Sequence, residues 1–117
     1  MSKQRPAAFD ITCYQGATFG YEFTWLVDDV PVDLGGYTAA MQVRPTHDSD
    51  DVLVDLTDGA GLTLGGAAGT IDLAIDADST AAIPAGSHVY DLELTDPFGI
   101  VTRLLDGAFA VDPEVTR

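Results

Sequence analysis

The groups that could do chemistry in this chain are nineteen carboxylates, two histidines, one cysteine and a handful of serines. His47 with Asp48, Asp50 and Asp51 makes an oxygen-rich loop of the kind that holds hard cations. It lacks the glycine and the terminal glutamate of a helix-loop-helix calcium site, so it reads as a solvated acidic loop. Asp28-Asp29 and Asp76-x-Asp78 read the same way. A nucleophile needs a base within hydrogen-bond reach. The candidates are Ser49, Ser79, Ser87 and Cys13, with His47 and His88 as bases. Ser87 and His88 are neighbours on an extended segment and therefore point to opposite faces. Cys13 falls on a predicted buried face and reads as a core thiol. Asp91 and Glu93 share a strand face as ordinary exposed acids. Gly65-Gly66-Ala67-Ala68-Gly69 has the glycines of a phosphate loop but neither its lysine nor its following helix, so it reads as a turn. No catalytic residue, metal ligand or cofactor site is expected, and the chain reads as non-enzymatic.

Charge narrows the partners. The formal net charge is −14, with Lys3, Arg5, Arg44, Arg103 and Arg117 as the basic residues. Between Pro45 and Thr102 there is no positive charge against eleven acids. Ion pairs cannot hold that span together, and its like charges repel most at low salt. A nucleic-acid partner would need a basic stripe and is not expected. A single cysteine allows no internal disulfide and no four-cysteine metal site. The first six residues lack the apolar run of a secretion signal, and no stretch nears the roughly twenty apolar residues of a membrane span. The expectation is a soluble protein made in the cytoplasm, with no membrane partner.

With chemistry unpromising, the positioning elements carry the reading. The 117 residues suit one domain with a core that needs no staples. Phe19, Tyr21, Phe23 and Trp25 recur at every second position, which puts all four rings on one face of a strand. This strand, from about Thr18 to Val27, is expected to be central. Alternation also marks strands around Phe9–Tyr14, Tyr37–Arg44, Val52–Leu56, Leu62–Leu64, Thr70–Ile75 and His88–Leu94. Asp28-Asp29-Val30-Pro31 reads as a turn. One helical turn over Thr80–Ile83 is expected, capped by Asp78 or Ser79 and stopped by Pro84. Asp96-Pro97-Phe98-Gly99 reads as a hairpin turn, and Asp106-Gly107 as a turn or bulge between two last strands. Eight or nine short strands with regular turns predict an all-β, immunoglobulin-like antiparallel β-sandwich with at most one helical turn. The predicted organisation is a basic N-terminal arm over residues 1–7, a sandwich over residues 8–112 and a tail over residues 113–117.

Four pieces in this order carry a resemblance: Gln15-Gly16-Ala17-Thr18-Phe19, Pro31-Val32-Asp33-Leu34-x-Gly36-Tyr37, Gly86-x-x-x-Tyr90-Asp91-Leu92-Glu93-Leu94 and Val101-Thr102-Arg103-Leu104-Leu105-x-Gly107. Over roughly residues 9–112 the chain resembles small immunoglobulin-like structural proteins of tailed bacteriophages. It is similar to the N-terminal domain of baseplate upper proteins. Those continue into a long receptor-binding-protein region, whereas this sequence reaches Arg117, which implies a stand-alone module. The resemblance implies a virion structural protein, made in the host cytoplasm and present in many symmetry-related copies. Its partners would be baseplate, tail or major capsid proteins. Lys3 and Arg5 of the arm are the expected partner-binding residues, reaching an acidic neighbouring copy. The alternative is a carbohydrate-binding module on the same fold, using exposed aromatics such as Tyr14, Tyr37 or Phe98.

Overall fold

The computed structural model of the chain describes residues 7–116. Lys3 and Arg5 lie outside the described residues. Among the described residues eleven strands run in chain order: β1 (Ala7–Ala8), β2 (Ile11–Tyr14), β3 (Phe19–Thr24), β4 (Leu26–Val27), β5 (Val30–Pro31), β6 (Thr38–Arg44), β7 (Val54–Asp58), β8 (Gly61–Leu64), β9 (Thr70–Ile75), β10 (Gly86–Thr95) and β11 (Val101–Asp112). A 3-10 turn spans Gly66–Ala68 and a short helix, α1, spans Ala77–Ala81. The longer strands follow apolar alternation. On β10, His88, Tyr90, Leu92 and Leu94 are buried while Val89, Asp91 and Glu93 are partly exposed. On β6, Ala39, Met41 and Val43 are buried between more exposed neighbours. Period-2 patterning drives each face inward because burying the apolar set is the dominant favourable term.

The main sheet runs β1-β11-β10-β6-β7-β8-β9-β3, with β2 also paired to β11. Only two residue pairs join β7 to β8, Thr57 with Gly61 and Asp58 with Leu62. There the path doubles back, and the β8-β9-β3 layer covers the β6-β10-β11 layer. The core lies between them. Met41, Val43, Leu92, Leu94 and Phe109 come from one layer, and Leu62, Ile71 and Leu73 from the other. Phe109 closes the stack, with the rings of Phe19 and Tyr90 each 6.3 Å from its own. The molecule is the immunoglobulin-like β-sandwich that the alternation predicts.

Several expectations are corrected. The sandwich is not purely antiparallel: β1 and β2 both pair parallel to β11, and β7 pairs parallel to β8. The aromatic strand is not central. β3 pairs only with β9 and ends the path among the described residues. Period 2 did put its rings on one face, but that face closes the open side of the sandwich, and Tyr21 is 43% exposed. The strand also stops at Thr24, and Leu26–Val27 turns back against Val30–Pro31 as a separate hairpin. Its two turn residues, Asp28 and Asp29, have φ of 52° and 64°, the left-handed pair that a two-residue hairpin requires.

Asp106-Gly107 does not separate two strands, because β11 runs unbroken from Val101 to Asp112. The glycine serves a close crossing instead. A Cβ on Gly107 would stand 2.5 Å from the carbonyl oxygen of Phe9. The irregularity in the β10–β11 ladder falls elsewhere, where Leu92 opposes Leu105 but Glu93 opposes Arg103, leaving Leu104 as the extra residue. The helix is capped by Asp76, not by Asp78 or Ser79. Its Oδ1 accepts from the Ser79 N–H at 2.7 Å. The glycine-rich stretch is the turn expected, tightened into a second helical turn that ends on Gly69 at φ 71°. Val52 lies in a loop, and its strand starts at Val54.

Candidate interaction surface

The side chains nominated for chemistry are held apart. Cys13 is fully buried in the core cluster, and burial pushes its thiol above the ordinary range. His88 is buried with its Nε2 2.7 Å from the carbonyl oxygen of Pro84, while Ser87 faces solvent on the other side of the strand. Among the described residues, no three His, Cys, Asp or Glu side chains are placed to hold a metal ion. In the acidic loop, Ser49 Oγ accepts from the Asp51 N–H at 3.1 Å, so the loop is shaped by its own turn chemistry. The aromatics considered for sugar stacking do not converge. Tyr37 packs edge-on to Trp25 at 6.2 Å, Tyr14 sits on β2, and Phe98 stands alone at the β10–β11 turn, 90% exposed.

Two surfaces remain. The first is the outer face of β6, β10 and β11. Arg44 and Arg103 lie around one shallow depression of about 330 Å³, with Gln42, His47, Asp91 and Asp106. They are the only arginines or lysines among the described residues. Arg44 is held rigidly. Its Nη1 donates to the Ser49 carbonyl at 2.7 Å, and its Nη2 and Nε donate to Gln42 Oε1 at 2.9 and 3.2 Å. These acceptors are neutral, so its charge is not cancelled by a carboxylate there. Arg103 Nε lies 3.5 Å from Asp91 Oδ2, an exposed pair of the kind that contributes little.

The second surface is the end of the sheet path at β3. Phe23, Thr24, Trp25 and Leu26 form one wall of a cleft of about 290 Å³, and Thr102 to Leu105 with Ala7 of β1 form the other. Above it the Tyr21 ring packs at a tilt against Phe23 at 4.5 Å and against Phe9 at 5.1 Å. The apolar surface continues onto the hairpin, where Leu26, Val27 and Val30 are 47%, 46% and 62% exposed. On the outward face of β3, Glu22 stands directly opposite Asp72 of β9. Hydrogen bonding to Asp72, and then its negative charge, push the Glu22 carboxyl above the usual range.

Sequence reasoning missed the role of Gln15. Its Nε2 donates to the Ile83 carbonyl at 2.9 Å and its Oε1 accepts from the Glu114 N–H at 3.0 Å. Next to it, the Gly16 N–H donates to the buried Thr80 hydroxyl, which donates to the Ala17 carbonyl. The β2–β3 turn thus fastens α1 and the chain beyond β11. A polar residue beside a turn glycine carries no periodic signal, so only the fold shows this role.

The chain matches no protein-family model and no curated protein. Among solved structures it is similar to the extracellular domain of the voltage-gated sodium channel beta4 subunit, whose parallel homodimers explain that protein's role in cell–cell adhesion. The identity is 12%, the match covers 98% of this chain and 99% of that one, and the TM-score is 0.45.

Proposed function

We propose that the chain is a non-enzymatic structural module of a tailed-bacteriophage particle, present in many symmetry-related copies and binding neighbouring virion proteins of the baseplate, tail or head. The observation that carries this reading is the open end of the sheet at β3, flanked by exposed apolar side chains on a rigid body. Such an edge offers backbone donors and acceptors to another chain. The resembling motifs sit where the fold is decided: Gln15-Gly16 at the turn fastening α1, Pro31 to Tyr37 leading into β6, and the other two within β10 and β11. Lys3 and Arg5 supply the basic arm that reaches an acidic neighbour. Assembly is expected to fail when residues 1–7 are deleted, and normal assembly would remove the arm from this reading.

Antibody-gold labelling of purified phage particles tests the proposal. Label over the head makes the chain a capsid decoration protein and its partner the major capsid protein. Label at the tail tip makes it a baseplate module. Intact particles without label reject a virion role.

A further inference from the structure

We propose that β3 is the docking strand of this module, and that it takes an extended segment of a neighbouring protein in which lysine or arginine alternates with aliphatic residues. The inference rests on the assembly reading only in taking the occupant to be another protein. Everything else comes from the groove.

A strand added beside β3 would repeat its alternation, because successive side chains leave opposite faces. On the inward side it would meet Tyr21 and Phe23 and lie over the cleft walled by Trp25, Leu26 and Leu104. Aliphatic residues fill such a space and cover Tyr21. The indole N–H of Trp25 is buried without a hydrogen-bond partner among the described residues. That nitrogen is closed off from solvent, so an added strand would cover the ring rather than bond to it. On the outward side the added strand would meet Glu22, which already faces Asp72 across the β3–β9 ladder, with no salt bridge to either among the described residues. Opposed like charges destabilise a sheet and opposite charges stabilise it. A basic side chain beside Glu22 would therefore relieve an existing repulsion. Asp28 and Asp29, at the tip of the β4–β5 hairpin that follows Trp25, are two further exposed acids. A second copy pairing β3 to β3 would bring two Glu22 side chains to one interface and is disfavoured by the same charges.

The test is a titration of the full chain with three capped seven-residue peptides: alternating valine and lysine, alternating valine and glutamate, and alternating serine and lysine. Trp25 is the only tryptophan in the chain and lines the cleft, so its fluorescence reports occupancy directly. Amide chemical shifts map the site. The valine–lysine peptide is expected to change Trp25 emission and to shift amides of β3, β4 and residues 101–105. Each control peptide is expected to bind more weakly by about tenfold or more, which corresponds to one lost pocket or charge contact. Glu22→Lys, on an exposed position, is expected to weaken the valine–lysine peptide by at least about threefold with an unchanged fold.

Equal binding of the serine–lysine peptide, or shifts spread over the acidic body, would mean unspecific charge attraction and overturn the proposal. Loss of residues 1–6 that by itself shifts the β3 amides would mean that the chain's own start covers this edge, and would also overturn it. A failed titration with gold label present on particles would reject the groove and leave the virion reading standing.

Discussion

The hydroxyl of Tyr90 donates its hydrogen to the backbone carbonyl of Phe9, 81 residues earlier in the chain. The contact ties the middle of β10 to the link between β1 and β2, where the chain crosses Gly107. It completes a local network in which the Phe9 N–H donates to the Asp106 carbonyl and the Ala108 N–H to the Asp10 carboxylate. The first strands are therefore locked to the last two by polar bonds as well as by packing.

Tyr90→Phe removes that hydroxyl and leaves the Phe9 carbonyl without this partner. The expected cost is about 1–3 kcal/mol, read as a lower urea midpoint with an unchanged slope. Burial, then the nearby charges of Asp106, Asp10 and Tyr21, raise the ionisation of the phenol well above its ordinary range. A raised folded value means that the contribution is complete below the unfolded tyrosine pKa, about 10, and is lost as pH rises through the folded value. The gap between wild type and Tyr90→Phe should narrow in strong alkali. A gap that is constant across that range would contradict the assignment.

Glu22→Gln should stabilise the protein at neutral pH. With its raised folded value, Glu22 contributes stability below its unfolded pKa, and that contribution disappears as pH rises into the neutral range. The variant's advantage in melting temperature is expected to grow from about pH 4 to about pH 7, across the ordinary carboxyl range. It should shrink in molar salt, where charges are screened within a few ångströms. Equal melting temperatures at both pH values would show that the Glu22–Asp72 pair exerts no repulsion.

Asp76→Ala should behave with the opposite sign. Hydrogen bonds from Ser79 hold the Asp76 carboxyl below its usual range. Its contribution is present above the unfolded pKa and is lost as pH falls through the lower folded value. The variant is expected to melt below wild type at neutral pH and to match it in acid. Asp76→Ser should retain most of the stability, since serine also caps a helix. A serine variant as unstable as the alanine one would rule out capping as the cause.

Gln15→Ala cuts the fastening between the β2–β3 turn, α1 and the segment after β11. Two partly buried backbone groups, the Ile83 carbonyl and the Glu114 N–H, lose this partner. A loss of about 1–3 kcal/mol is expected, with faster amide exchange concentrated in α1 and residues 113–116. Exchange that quickens evenly over the whole domain would indicate general weakening.

What the sequence disclosed follows from what periodicity can encode. Alternation assigns faces, so the buried sets of β2, β6, β9 and β10 were legible, as was the placement of Cys13 and the separation of Ser87 from His88. Alternation does not name a strand's neighbours. The aromatic row of β3 gives one face but not a central strand, because ring payload says nothing about pairing order. The parallel pairing of β1 and β2 with β11 and the close crossing at Gly107 depend on contacts about a hundred residues apart. Of the interaction surface, the Glu22–Asp72 opposition and the convergence of Arg44 and Arg103 were equally hidden. Each needs the register of strands distant in sequence.

The parallel lie of β2 along β11, with Ile11 beside Phe109 and Tyr14 beside Asp112, has a mechanical meaning. Tension drawing the start of the chain away from its end slides these strands past each other along their length. Their hydrogen bonds then bear the load together, as a lap joint does, whereas an antiparallel hairpin pulled from its open end peels one bond at a time. Stretched between its ends, the domain is expected to hold until β2 and β11 part in a single rupture. Stepwise yielding at low force would show that the load bypasses this seam. The joint would then set how much pull the domain transmits before it opens.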